Sequence, residues 1–233
     1  MKTFSRRSVL GALAVAALSS TACFGQKAVD LTPEVIVQKS SDALKQVNSV
    51  HFKLSATGGM MAIGTGLVAR AIEGDVVKPD RLKGNATSTF GKVTVEVGFV
   101  IVGAHQYITN PVTKKWQEVP NAQPAPNLLD PERGAPALLK QVTDVKKLGN
   151  ETVDGTECYH LAGKVTSTLV AGLVGATGTA TSLDGDLWIG ATDFLVRQIG
   201  LAGPVTSDEP PAIKRMLQLT SYNESVAIEA PTV

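Results

Sequence analysis

The sequence predicts an α+β fold, with one antiparallel sheet of about ten or eleven strands and two or three helices. Three observations support this prediction. Hydrophobic residues make up 43% of the chain but aromatic residues only 5%, so Val, Leu, Ala and Ile dominate, which favours a β-rich body. Apolar and polar residues alternate along much of the chain. Tight-turn signals separate consecutive strands, which indicates an antiparallel meander.

The first 22 residues predict an export signal that precedes the folded domain. Lys2, Arg6 and Arg7 form a positively charged start, and residues 5–10 (SRRSVL) match the twin-arginine signature. The apolar run from Val9 to Leu18 covers roughly 15 Å as a helix, half of a hydrocarbon core of about 30 Å. This run therefore predicts a signal-peptide core rather than a transmembrane helix.

Small residues at positions 19–22 lead to Cys23, as in a lipobox, whose cysteine receives diacylglycerol. Ser20 stands where Leu, Val or Ile is usual, so ordinary cleavage after Ala22 is the alternative. Two acyl chains anchor a protein stably, whereas one holds it only marginally. We predict a signal peptide over 1–22, a lipid anchor and linker over 23–31, and one domain over 32–233 on the extracytoplasmic side of the cell membrane.

Charge and cysteine content exclude several other classes of protein. Without residues 1–22 the chain has 19 basic and 21 acidic residues, a net charge of −2, which does not suggest nucleic-acid binding. The chain has two cysteines. If Cys23 is acylated, Cys158 has no partner, so we expect no disulfide and a buried, inert thiol at Cys158.

The domain is predicted to begin with a helix and continue as strands. Thr32 is the predicted N-cap, followed by Pro33 and the acidic Glu34, and the helix is expected to end at residues 48–49. Beyond it the apolar period becomes two, and Gly58-Gly59 is a hairpin signal. The predicted strands of this half are Val50–Ala56, Met61–Gly74, Arg81–Phe90, Val93–Val102, Tyr107–Ile108 and Lys115–Val119.

The second half follows a proline-rich loop over residues 120–136. A short helix is predicted at Ala137–Val142, an Asp154-Gly155 hairpin follows, and residues 167–182 form a small-residue segment with a helical face. The remaining predicted strands are Cys158–Val165, Leu183–Ile189, Phe194–Leu201, Ile213–Tyr222 and Ser225–Glu229. A single sheet of this size curls, and the helices are expected to cover its concave side.

An ordered set of short motifs resembles a known lipoprotein family. The set comprises Leu31–Glu34, Val50–Phe52, Ile72–Asp75, Pro79–Leu82, Tyr107–Pro111, Lys115-Trp116, Leu129–Gly134, Val153–Leu161, Leu187–Gly190 and Leu195–Arg197. Together these motifs resemble the LppX/LprA/LprF/LprG lipoproteins of mycobacterial envelopes, and the resemblance extends over about Leu31 to Pro231. Ser20 and the twin-arginine signal depart from the usual member.

The resemblance implies a strongly curved half-barrel sheet with helices across its mouth and a hydrophobic cavity for acylated lipids, similar in design to LolA and LolB. Members carry or present envelope lipids, including glycolipids. A chain of 16 carbons would cost on the order of 12 kcal/mol to expose to water, at about 0.8 kcal/mol per CH₂. We therefore expect a monomeric carrier held to the membrane through Cys23, with an acylated lipid or glycolipid ligand, no cofactor and no enzymatic activity.

Candidate cavity residues lie on the first strands and near residue 170. They are Phe52, Leu54, Leu67, Val93, Val95, Val97, Phe99, Ile101, Leu169, Leu173 and Val174. The face that carries Val93 to Ile101 either lines the cavity or packs under a helix. The last three of these, Leu169, Leu173 and Val174, form either a mobile lid, loosened by the neighbouring glycines, or a small packed helix.

The sequence offers no catalytic or metal site. His51, His105 and His160 are too scattered for a zinc signature, and no nucleophile elbow or phosphate loop is present. Trp116 and Trp188 are predicted to anchor the core. Two other functions stay open: a lipid-sensing regulator or chaperone that signals to an unidentified envelope protein, and an envelope hydrolase, for which the sequence nominates no nucleophile.

Overall fold

The computed structural model describes residues 31–63, 67–90, 93–120, 128–173, 178 and 180–233. Leu31–Val233 forms one compact unit. The helices described in it are α1 (Pro33–Lys45), α2 (Ala135–Leu139) and α3 (Ser167–Leu173). The described strands are β1 (Ser49–Thr57), β2 (Met61–Ile63), β3 (Leu67–Ala69), β4 (Ala71–Val77), β5 (Arg81–Phe90), β6 (Val93–Val102), β7 (His105–Thr109), β8 (Trp116–Glu118), β9 (Thr143–Val153), β10 (Thr156–Thr166), β11 (Ser182–Gly190), β12 (Val196–Ala202) and β13 (Lys214–Thr220).

Eleven of these strands form one antiparallel sheet in the order β8-β7-β6-β5-β4-β1-β13-β12-β11-β10-β9. The central strand β1 pairs with β4 on one side and with the last strand, β13, on the other. The first half of the chain therefore forms one wing of the sheet and the second half the other. Because β8 and β9 are its two edges, the sheet is not closed, and the predicted α+β half-barrel is confirmed.

Alternation along the strands places aliphatic side chains from both wings on one face. Phe52 of β1 lies opposite Leu219 of β13, and Leu54 lies between Ile72 and Leu217. The same buried cluster includes Leu161 of β10 in the far wing, so this face is the concave one.

Helix α1 lies on the concave side and begins as the sequence predicts. The hydroxyl of Thr32 accepts a hydrogen bond from the backbone N–H of Val35 at 3.5 Å, which confirms the predicted N-cap. The buried face of the helix includes Ile36, Val37 and Leu44. This apolar stripe joins the same core as the inward side chains of the sheet.

The predicted strand Met61–Gly74 is wrong in one respect, because it is divided between two sheets. Strands β2 and β3 pair only with each other in the described part of the chain, and β4 begins at Ala71. Ala56 donates its backbone N–H to Arg70 at 2.8 Å, which fixes the point where the chain rejoins the main sheet. Gly58-Gly59 is not a two-residue hairpin either, since β1 pairs with β4 and β13.

Three other boundaries differ from the prediction. The edge strand β9 is missing from the predicted set because its polar sequence (TDVKKLGNETV) hides the alternation. Residues 225–229 form no strand; there the backbone carbonyl of Ile228 accepts a hydrogen bond from Arg81 instead. Helix α2 begins at Ala135, two residues before the prediction, because Pro136 is tolerated in a first helical turn.

Candidate functional site: an apolar cavity on the concave face

The concave face encloses a cavity of about 610 Å³. Aliphatic and aromatic side chains from both wings of the sheet line it, together with residues of α2, α3 and the segment before α2. Representative lining residues are Leu54, Ile72, Leu82, Phe99, Ile199 and Leu217 from the strands, and Leu128, Leu138, Leu139, Val170 and Leu173 from the covering segments.

The period-two sequence explains why this wall is apolar. Leu82 pairs with Ile101 and Ala86 with Val97 across β5 and β6, so these four side chains share the inward face. Between them lies Gly84, opposite Phe99. A Cβ on Gly84 would lie 2.8 Å from Cζ of Phe99, so the absence of a side chain there makes room for the aromatic ring.

The structure places six of the predicted cavity residues on this wall, and they are Phe52, Leu54, Val97, Phe99, Ile101 and Leu173. Val93 and Val95 do not line the cavity, which corrects the prediction. Both share the inward face of β6, but the strand extends past the cavity, so the side chain of Val93 is 61% exposed and Val95 is partly exposed.

The residues near position 170 divide between two environments. Leu169 packs against a separate cluster that contains Val165, Leu183 and Val205, and it does not line the cavity. Leu173 does line it, and Val170 and Ala171 of the same helix are buried. These contacts favour the packed-helix alternative for α3. The side chain of Leu67 and the whole of Val174 lie outside the described part of the structure.

Polar residues also border the cavity, among them Asp80, Arg81, Gln106 and Lys164, and one ion pair is buried in its wall. Glu209 and Arg215 both border the cavity, and their side chains are 3% and 6% exposed. The Glu209 carboxylate accepts hydrogen bonds from Arg215 and from the backbone N–H groups of Ala62 (3.0 Å) and Val205 (2.7 Å). Arg215 Nη1 also donates to the carbonyl of Gly203 at 2.8 Å.

The environment of this pair favours its ionised form. Burial raises the pKa of Glu209, but the hydrogen bonds from Arg215 and from the backbone N–H groups of Val205 and Ala62 outweigh it, so the pKa lies below its ordinary value. The sequence prediction missed both residues. The sequence contains one indication of this site, because the period-two alternation of β13 places Arg215 on the same face as the inward Leu217 and Leu219.

The three histidines lie on the outer face of the sheet, and each contacts a carboxylate. His51 contacts Asp75 at 2.8 Å, His105 contacts Glu118 at 2.7 Å, and His160 contacts Glu151 at 2.8 Å. Across the described residues, no three His, Cys, Asp or Glu side chains cluster as a metal site would need. Cys158 is fully buried, and burial raises the pKa of its thiol.

The two tryptophans do not anchor the core, contrary to the prediction. Trp188 stacks on His160 with ring centroids 4.4 Å apart and donates its indole N–H to Glu151 at 2.7 Å. The register of β10 and β11 places this pair on the outer face, because the inward Leu161 and Leu187 are its neighbours. Trp116 packs over Gly98. A Cβ added at Gly98 would lie 3.2 Å from the Trp116 ring.

An open antiparallel sheet with helices on its concave face and an aliphatic cavity beneath them defines a half-barrel binding protein. The chain belongs to the LppX/LprA/LprF/LprG family of lipoproteins, whose model matches residues 32–229. It is 25% identical over 203 residues to the lipoarabinomannan carrier protein LprG of Mycobacterium leprae. This aligned region covers 84% of this chain and 81% of that protein.

Two solved structures of the family share the fold. LprF from Mycobacterium bovis superimposes with a TM-score of 0.70 at 18% identity, covering 87% of this chain and all of LprF. LppX from Mycobacterium tuberculosis gives a TM-score of 0.59 at 19% identity, covering 84% of this chain and 97% of LppX. The prediction that the chain is not an enzyme agrees with membership of this lipoprotein family.

In the described part of the chain, no helix has both the length and the hydropathy needed to cross a membrane. The predicted export signal (Arg6 and Arg7) and the predicted lipid anchor (Cys23) lie outside the described residues.

Proposed function

We propose that this chain is a membrane-anchored lipoprotein that binds acylated lipids, glycolipids among them, and carries or presents them in the cell envelope. The observation that carries the proposal is the cavity of about 610 Å³ with a predominantly apolar wall. Its volume lies in the usual range of ligand pockets, roughly 300–1,000 Å³. The ligand class follows from the wall, because such a surface favours hydrocarbon over polar ligands.

The volume also indicates how much of a lipid the cavity takes. A methylene group is about the size of a water molecule, whose share of liquid volume is roughly 30 Å³. The cavity volume of about 610 Å³ therefore corresponds to about twenty methylenes, the length of one long acyl chain. The headgroup and any further chains are then expected outside the wall.

Transfer from a bilayer into such a cavity is close to neutral in free energy. Leaving a membrane for water costs about 0.8 kcal/mol per CH₂, and an aliphatic wall removes most of that cost. A carrier needs this balance, because a lipid that binds too tightly is not released. The LprG relative of Mycobacterium leprae is a protein named as a lipoarabinomannan carrier, which supports a carrier role and an envelope glycolipid as cargo.

The predicted anchor fits this function. A diacylated Cys23 would supply two acyl chains, enough for stable attachment, and would keep the domain at the membrane whose lipids it handles. Intact-mass analysis of the protein from its own host tests the anchor directly. A Cys23 without acyl groups would remove the tether from the proposal while leaving lipid binding to be tested separately.

Lipid binding is tested by filling the cavity. Ala86 lines it from β5, and Lys83 lies three residues away on the exposed outer face of the same strand. We expect Cys23→Ala protein from its own host to carry acylated lipid in native mass spectrometry. Ala86→Trp in that background should remove the lipid, and the matched control Lys83→Trp should retain it. Consistently lipid-free Cys23→Ala protein, or equal lipid in both variants, would contradict the proposal.

A further inference from the structure

The outer part of β6 leads from solvent into the cavity. Val93, Val95 and Val97 share one face of the strand, and only Val97 lines the cavity. At about 3.3 Å per residue, Val93 lies roughly 13 Å beyond Val97. The exposed fraction falls along the strand from 61% at Val93 to partial exposure at Val95 and Val97. An unbroken strip of valine therefore connects the surface with the cavity wall.

The turn between β7 and β8 lies beside this strip. Thr109 accepts a hydrogen bond from the backbone N–H of Gly98 at 2.8 Å, and Lys114 Nζ donates to the carbonyl of Glu96 at 3.1 Å. These contacts join both ends of the turn to β6. The turn therefore stands at the same end of the sheet as Val93.

This turn presents an apolar side chain to solvent. Val112 is 87% exposed, the largest exposed fraction among the described large hydrophobic residues. Asn110 Oδ1 accepts hydrogen bonds from the backbone N–H groups of Val112 and Thr113, both at 2.9 Å, so the turn is ordered around the exposed valine. Lys114 and Lys115 follow at once and are exposed.

We propose that Val93, Val95, Val112, Lys114 and Lys115, here called the entry edge, dock on an anionic phospholipid bilayer and admit an acyl chain along the valine strip. Exposed apolar side chains enter the interfacial region, and neighbouring lysines pair with lipid phosphates. Glu96 is the one acidic residue in segments 93–98 and 109–115, so the two lysines leave a positive balance. This inference rests on the proposed function, since the strip has a purpose only if the cavity takes lipid.

The test measures binding to vesicles by flotation, with the full chain carrying Cys23→Ala so that no acyl anchor contributes. The vesicles are pure phosphatidylcholine or equal parts phosphatidylcholine and phosphatidylglycerol. We expect stronger binding to the mixed vesicles, and a loss of about tenfold or more in Val93→Asp/Val112→Asp. Lys114→Gln/Lys115→Gln should weaken binding to the mixed vesicles only.

Leu148 provides a matched control. It is 58% exposed and lies on β9, the edge of the other wing, far from the entry edge in the strand order. Leu148→Asp should bind vesicles like the parent. Equal loss in Leu148→Asp and in the double valine variant would overturn the proposal, as would unchanged binding of the valine variant to mixed vesicles.

Lipid content separates this inference from the proposed function. Because the exposed valines lie outside the cavity wall, Val93→Asp/Val112→Asp should keep the unfolding midpoint of the parent, whereas its co-purified lipid should fall, since the acyl chain enters along the strip. If the parent carries lipid but the valine variant docks equally well, only the entry edge fails. If the parent carries no lipid, the proposed function itself fails.

Discussion

Ion pairs on the two faces of the sheet differ in their exposure to solvent. On the outer face, Lys53 forms a solvent-exposed ion pair with Glu73, with Nζ 3.3 Å from the carboxylate, and His51 contacts the same carboxylate. On the concave face, the ion pair between Glu209 and Arg215 is almost fully buried. Outside, water can replace either partner of a pair. Inside, each partner depends on the other and on backbone groups, so the two faces differ in what a substitution costs.

The largest expected effect comes from breaking the inner pair. Glu209→Ala leaves Arg215 buried without its carboxylate, which typically costs about 3–5 kcal/mol in the free energy of unfolding. Glu73→Ala, on the outer face, should cost less than about 1 kcal/mol. Urea unfolding of both variants measures the difference. Similar costs for the two variants would show that burial of the inner pair has no energetic consequence.

Within the concave face, packed and cavity-lining residues should also differ. Leu161 is fully buried away from the cavity, so Leu161→Ala should cost about 3 kcal/mol through lost burial and a new void. Leu217 borders the cavity, so Leu217→Ala enlarges an existing space and should cost about half as much. Thermal or urea unfolding distinguishes the two. Equal costs would argue that the wall at Leu217 is as tightly packed as the core.

The outer face should tolerate changes even at its largest side chain. Trp188→Phe keeps a ring on His160 but removes the indole hydrogen bond to Glu151, so we expect a loss of about 1 kcal/mol or less. The adjacent inward residue, Ile189, is fully buried, and Ile189→Ala should cost about 2–5 kcal/mol. A larger loss in Trp188→Phe than in Ile189→Ala would reverse the comparison.

The smallest effect near neutral pH is an acid dependence of stability. The pKa of Glu209 lies below its ordinary value of 4.5, so its ionised form stabilises the fold fully above that value. This contribution should be lost as pH falls through the lower, folded-state pKa, with a slope of at most about 1.4 kcal/mol per pH unit for one proton. In Glu209→Gln that part of the slope should vanish. An unchanged acid slope in the variant would assign the effect to other carboxylates.

Local signals in the sequence predicted much of the fold. Thr32, Pro33 and Glu34 mark the start of α1 because capping depends on neighbouring atoms only. The Asp154-Gly155 turn was predictable for the same reason, and both residues adopt positive φ angles, 47° and 78°. Val97, Phe99 and Ile101 could be grouped on one face, since alternation is a property of the strand itself.

The errors arose where distant residues decide the outcome. Met61–Gly74 is predicted as one strand of the main sheet, yet β2 and β3 pair with each other because β4 takes the place beside β1. Trp188 looks like a core residue by size, but the register of β11 turns it outward. Glu209 and Arg215 come into contact only when the loop between them folds, so no short sequence motif predicts this ion pair.

The sequence by itself determined the antiparallel meander, the phase of each strand, the first helix and the resemblance to a lipoprotein family. These features depend on residues close together in the chain. Only the tertiary structure decided which face is concave, where the cavity ends along β6, and that one ion pair is buried in its wall. Alternation divides a strand into two faces, but curvature comes from pairing across the whole sheet, and that pairing joins residues far apart in the chain.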